Sequence, residues 1–220
     1  NPSPPHLDYI DKYYTPFIPA AKRMNAKIKR DIDPVNNDGI TLIPQAMSIV
    51  ADEVIDLHRQ LVPYGYDEIN VNLGCPSGTV VSKKRGSGIL AYPDMLDSFL
   101  DELYTKADFP VSIKTRVGFN DDELWPRLIE IYSKYPISEL SVHPRVQKDF
   151  YKNTPRMDDF ALAMQKINPD KTILCYNGDI TDTNSFNALT DCFPDIDEIM
   201  IGRGLFANPA LIAELKGLSM

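Results

Sequence analysis

Residues 68–118 read EINVNLGCPSGTVVSKKRGSGILAYPDMLDSFLDELYTKADFPVSIKTRVG. The stretch opens on a short apolar run, Glu68–Leu73, and closes on another, Val111–Thr115. Between them Pro93 starts a helical pattern, since proline at the first helical position loses no hydrogen bond. That pattern puts Leu96, Phe99, Leu100 and Leu103 on one side and Asp94, Asp97 and Asp101 on the other, as a surface helix requires. Strand, helix, strand in this order is a βαβ unit with parallel strands.

The same alternation extends in both directions. Further runs that read as buried strands are Tyr9–Ile18, Ile40–Pro44, Glu139–Val142, Thr172–Tyr176 and Glu198–Ile201. Helical patterns fill the intervals: Val50–Val62, Asp121–Tyr135, Asp158–Ile167 and Asn184–Leu189, with Thr181 and Asp182 as N-cap candidates for the last. Seven strands at this rhythm predict an α/β fold, a (β/α)8 TIM barrel counted one strand short. The first β/α unit is expected to be absent and residues 1–220 to form one barrel domain. The segment Ala20–Gly39, basic at first (Lys22, Arg23, Lys27, Lys29, Arg30), reads as a mobile strand-end loop.

Composition narrows the class. The chain is 43% hydrophobic and 25% charged, as globular domains are. No apolar run reaches the roughly 20 residues that span a bilayer, and NPSPPHLDY lacks a signal-peptide layout; a cytoplasmic protein is expected. The net charge of -8 argues against indiscriminate nucleic-acid binding, which rests on neutralising phosphates, but leaves room for a local basic patch. Cys75, Cys175 and Cys192 form no CxxC pair and no metal-ligand spacing, so no metal is expected. Cys175 and Cys192 read as packing residues, and His6 and His58 as surface residues.

In β/α barrels the working groups lie just past the C-terminal ends of the strands. NLGCPSG (72–78) leaves Cys75 at such an end, in backbone shaped by glycine and proline and followed by SKKRGSG. A thiol there can donate a proton as a general acid, or attack as a thiolate if something favours its ionised form; position alone leaves both open. Lys114 in IKTRVG would be expensive to bury without an anion, so it reads as an ion-pair partner or as a cation facing an electron-rich cofactor. His143 in VHPR adds a third polar group to the same rim. YNGDI (176–180) and IGRG (201–204) place glycine at a strand end ahead of a helix. Backbone N–H groups can then close on an anion, and the last two strands of such barrels commonly carry a phosphate site. Arg203 would add a charge-assisted fork.

These residues together resemble the tRNA-dihydrouridine synthases, flavoenzymes that reduce uridine to 5,6-dihydrouridine in tRNA. The resemblance is carried by DKYYTPFI (11–18), LIPQ (42–45), DEINVNLGCPSGTVVSKKRGSG (67–88), VSIKTRVG (111–118), LSVHPRVQKDFY (140–151), YNGDI (176–180) and MIGRGLFANP (200–209). It implies FMN as cofactor, NADPH as reductant, tRNA as substrate and partner, and a monomer. It further implies that Gln45, Lys114 and His143 contact the flavin and ribityl portions of FMN, and that Asn177, Gly178, Gly202 and Arg203 hold its phosphate. Cys75 would protonate C5 of uracil, with Asn72 and Arg145 close to the substrate base. Members also carry a C-terminal helical domain, which is expected to be absent here. Two other readings stay open on the residues alone: a flavin barrel acting on a free pyrimidine, of dihydroorotate or dihydropyrimidine type, and a non-catalytic RNA-binding scaffold.

Overall fold

A computed structural model describes residues 10–20 and 23–218; Tyr9, His6, Lys22 and the proline-rich opening lie outside the described residues. The strands are β1 (Tyr13–Tyr14), β2 (Ile18–Pro19), β3 (Leu42–Ile43), β4 (Gln45–Met47), β5 (Ile69–Leu73), β6 (Val111–Gly118), β7 (Glu139–Val146), β8 (Ile173–Tyr176) and β9 (Glu198–Ile199). The helices are α1 (Ala26–Asp31), α2 (Ala51–Leu61), α3 (Gly78–Val81), α4 (Pro93–Lys106), α5 (Trp125–Tyr132), α6 (Met157–Lys166), α7 (Thr183–Cys192), α8 (Arg203–Ala207) and α9 (Leu211–Leu215). Every strand pairing is parallel, and seven strands form one sheet in the order β2-β4-β5-β6-β7-β8-β9. Among the described residues no helix is long and apolar enough to cross a membrane.

The first two expected strands are each broken in two. Pro16 and Pro44 interrupt them, because proline has no N–H to give a ladder. Thr15 bridges the break: its N–H donates to the Ile43 carbonyl (3.0 Å) and its Oγ1 accepts the Gln45 N–H (3.0 Å).

Side chains alternate across a strand, and here the alternation separates apolar from polar. Val71, Leu73, Ile113, Leu140 and Val142 join the core shared with Leu57, Leu61, Leu96, Leu100 and Leu128 of the helices. Between them stand Asn70 and Asn72 on β5, Ser112, Lys114 and Arg116 on β6, and Glu139, Ser141, His143 and Arg145 on β7. The barrel interior is therefore largely polar, a departure from the branched apolar layers usual in such folds.

No backbone ladder among the described residues joins the first strand to β9. Side chains span that gap instead. Lys12 is ion-paired to Glu139 and, at 2.9 Å, to Glu198, while the Tyr14 hydroxyl donates to Glu139 Oε2 at 2.8 Å. The side-chain donor atoms of Glu139, Cys175 and Glu198 lie within 4.8 Å of one another. Burial, with the neighbouring Glu139 carboxylate, raises the Glu198 pKa, and Lys12 supplies the compensating charge.

Several sequence expectations require correction. Within Ala20–Gly39 the described residues form no loose loop. Asn25 caps α1 through a 2.9 Å bond from the Ile28 N–H, Ile32 is fully buried, and the Tyr66 hydroxyl donates to the Ile32 carbonyl at 2.7 Å. Capping and an i, i+4 apolar pair anchor the segment despite its surface charge. His58 does lie at the surface, half-exposed, where it stacks on Phe109 with centroids 3.5 Å apart. Cys175 is buried within β8 as expected, but Cys192 ends α7 exposed, so it is no packing residue. Of the two cap candidates, Asp182 caps α7, accepting the Ser185 N–H at 2.7 Å.

Removing Lys12 leaves buried Glu139 beside Glu198 without a cation. Lys12→Met is expected to cost roughly 3 kcal/mol at neutral pH, read as a lowered urea midpoint. The loss should shrink as pH falls through the raised pKa of Glu198, whose protonated carboxyl no longer needs the ammonium.

Candidate active site

Cys75 follows β5, half-buried, and its main chain is held from four directions. Asn72 Oδ1 accepts from the N–H groups of Gly74 (3.1 Å) and Cys75 (2.9 Å). Ser87 donates to the Cys75 carbonyl from its N–H (3.1 Å) and its hydroxyl (2.8 Å). Arg116 Nε donates to the Gly74 carbonyl at 2.9 Å, and Gln147 Nε2 to that of Pro76 at 2.9 Å. The 3-10 turn Gly86–Ala91 approaches so closely that a Cβ on Gly86 would lie 2.7 Å from the Cys75 carbonyl oxygen. Gly86 also adopts a φ of +53°, which glycine tolerates without strain. The polar main-chain atoms of Gly74 and Cys75 and the Pro76 carbonyl are thus all engaged.

Beneath the cysteine a chain of amides crosses three strands. Asn72 Nδ2 donates to Gln45 Oε1 (2.6 Å), Gln45 Nε2 to Asn70 Oδ1 (2.8 Å), and Asn70 Nδ2 to Ser112 Oγ (3.1 Å). Gln45 and Asn72, expected at cofactor and base respectively, are thus in direct contact. Asn70 was not foreseen, although its place two residues before Asn72 puts it on the same face.

Lys114, opposite Asn72 in the β5–β6 register, has no carboxylate partner among the described residues. Burial, reinforced by the charge of Arg116, lowers its pKa from 10.5 to about 8. Burial likewise pushes the His143 pKa far below its ordinary value, with the Lys114, Arg116, Arg145 and Arg203 charges adding to the effect. His143 is therefore neutral. Its Nε2 lies 3.0 Å from Arg145 Nη1, and a guanidinium can only donate, so the imidazole proton resides on Nδ1.

Arg145 is fully buried and committed. It forms a fork with Asp179 and donates to the carbonyls of Lys152 and Asn153. Asp179 also binds Arg203 (2.6 Å), and these two arginines hold its carboxyl below the usual range. Arg203 lies 4.5 Å from the Tyr151 ring centroid, and Tyr151 is 55% exposed. In the structure Arg145 meets His143 and Asp179, and Arg203 meets Asp179 and the Tyr151 ring. Motif reading missed Arg116, Asp179 and Tyr151. Asp179 carried a signal, being the acid inside YNGDI.

At the ends of β8 and β9 the amide N–H groups of Gly178, Asp179 and Gly202 donate to no acceptor among the described residues. Asn177 is turned away, its Nδ2 donating to the Met200 carbonyl at 2.9 Å. A Cβ on Gly202 would meet nothing within 4 Å, while one on Gly204 would overlap the Ile180 carbonyl, so the start of α8 sits tightly against the β8 end. Unpaired amides, a half-buried unpartnered ammonium and a nearby guanidinium form a donor set suited to a phosphate-bearing, electron-rich ligand.

A parallel β/α barrel with a cysteine and a cluster of cations at the C-terminal rim of its strands has the layout of enzymes that work at the barrel mouth. The family model for dihydrouridine synthase (Dus) matches residues 9–219, and the chain belongs to that family. It is 34% identical over 154 residues to a probable tRNA-dihydrouridine synthase of Staphylococcus aureus, covering 68% of this chain and 46% of that protein. It is 29% identical over 168 residues to tRNA-dihydrouridine synthase B of Pasteurella multocida, covering 76% of this chain and 49% of that protein. The chain thus spans about half the length of the curated relatives it matches.

The lowered pKa of Lys114 means that its charged form is disfavoured in the folded state. Stability should therefore rise with pH between about 8 and 10.5. Lys114→Met is expected to flatten that rise and to add about 1–3 kcal/mol at pH 7, measured by denaturant melts across pH.

Proposed function

We propose that this chain is the catalytic barrel of an FMN-dependent tRNA-dihydrouridine synthase, reducing the C5=C6 bond of a uridine with NADPH as the electron source. The carrying observation is Cys75: a half-buried thiol on immobilised backbone, at the same mouth as the unpartnered ammonium of Lys114. FMN, when bound, supplies the hydride for C6. Cys75 gives its proton to C5 and regains one from solvent. Holding the loop rigid presents the sulfur at one place, which is how positioning lowers a barrier.

The remaining residues divide between orientation and charge. Lys114 and neutral His143, with its Nδ1–H free to donate, face the ring system of the cofactor, and Gln45 lies beside them. The free amides of Gly178 and Gly202, with Arg203, bind the phosphate, and Asn177 braces that loop through Met200. Asn72 has one side-chain oxygen occupied by the Cys75 loop, so it shapes the base pocket from below. Arg145 acts behind His143, holding its tautomer, rather than on the base. The uridine must leave the stack to reach this mouth, and the exposed Tyr151 ring offers a surface for it. A tRNA substrate also agrees with a cytoplasmic monomer whose net charge of -8 does not attract RNA indiscriminately.

The test is the visible absorption spectrum together with dihydrouridine formation on unmodified tRNA. Cys75→Ala should keep the flavin bands of the parent and lose at least about 100-fold in turnover. Full activity in that variant would remove Cys75 as the acid. Turnover of a free pyrimidine in place of tRNA would replace the substrate assignment.

A further inference from the structure

Arg116 is 2% exposed and forms no ion pair among the described residues. Burying a guanidinium without an anion is costly, and burial lowers its pKa to about 10. The compensation is three main-chain carbonyls: Nε to Gly74 (2.9 Å), Nη1 to Val146 (3.0 Å) and Nη2 to Phe150 (2.7 Å). One of these lies directly before Cys75. The other two belong to the end of β7 and the turn that carries Tyr151.

The local backbone is shaped to receive this side chain. Between Arg116↔His143 and Gly118↔Val146 the ladder takes two steps on β6 and three on β7, so the extra residue falls at Pro144–Arg145. Pro144 has no N–H to offer there, and a bulge re-aims the strand beyond it. Phe150 holds a φ of +52°, unfavourable for an aromatic residue, and its carbonyl is one that Arg116 engages. Gln147 supplies a second tie from the same turn, to the Pro76 carbonyl at 2.9 Å.

We infer that Arg116, assisted by Gln147, is a positioning residue that locks the Cys75 loop to the β7 turn, so that the thiol and the Tyr151 wall of the mouth move as one body. A planar fork reaches three separated carbonyls in fixed directions, whereas an ammonium presents its donors from a single point. The catalytic consequence rests on the proposed function, but the mechanical one does not.

The two are separated by site-resolved alkylation of the purified protein with iodoacetamide, followed by peptide mass spectrometry. Buried Cys175 in β8 reports opening of the barrel and exposed Cys192 reports reagent activity. In Arg116→Lys the Cys75 rate should rise at least ~10-fold while Cys175 stays protected, and kcat on tRNA should fall about 100-fold with KM little changed. Gln147→Ala, which removes only a partly exposed amide, should raise the Cys75 rate less, again with Cys175 protected. If Arg116→Lys does not fold, Gln147→Ala carries the test. An unchanged Cys75 rate, or a Cys75 rate that rises only together with that of Cys175, overturns the lock and leaves Arg116 a packing residue. The alkylation outcomes hold whether or not Cys75→Ala abolishes tRNA reduction.

Discussion

The register of the parallel ladder is the constraint on which the site depends. Asn72 stands opposite Lys114, and Arg116 opposite His143. Because side chains alternate, a slip of one residue in any pairing would turn these groups toward the helices and bring apolar side chains into the mouth. The apolar alternates prevent the slip, since Val71, Leu73, Ile113 and Val142 would lose their buried contacts with the helices. Ordinary core packing thus aligns chemistry that no single strand contains.

That alignment concentrates positive charge. Lys114, Arg116, Arg145 and Arg203 converge on His143, with Asp179 the acid bridging two of the arginines. Such crowding disfavours the empty state and favours an anion, and it keeps His143 neutral. For the arginines the cost is offset locally, backbone carbonyls solvating Arg116 and Asp179 neutralising Arg145, whereas the charged form of Lys114 stays disfavoured. Closing the barrel with Lys12 between Glu139 and Glu198 places the opposite charge balance at the far end of the strands, well away from the thiol.

Much of this was legible in order. The alternation of runs and amphipathic stretches predicted the parallel barrel, and Cys75, Lys114, Gln45 and Asn72 do meet at one rim. The polar alternation within β5, β6 and β7 was also present in INVNL, VSIKTRV and ELSVHPRV, and it marks a polar interior. What was not legible was commitment. Nothing in VHPR says that all the hydrogens of Arg145 are engaged by Asp179, His143 and two carbonyls. Nothing in IGRG says that Arg203 leans on Asp179 and Tyr151. The stretch after β2 read as loose because its charges dominate, whereas Asn25 and Ile32 decide its fold.

The sequence by itself determined the order of strands and helices, the face each strand turns inward, and the strand ends that bear reactive groups. Those follow from periodicity and from residue chemistry, which are local. Only the tertiary structure decided which donors remain free. Among the described residues Lys114 and the Gly178 and Gly202 amides stay unpaired while Arg116 and Arg145 are spent on the protein. That division depends on distances between segments far apart in the chain, which register and closure set and composition does not encode.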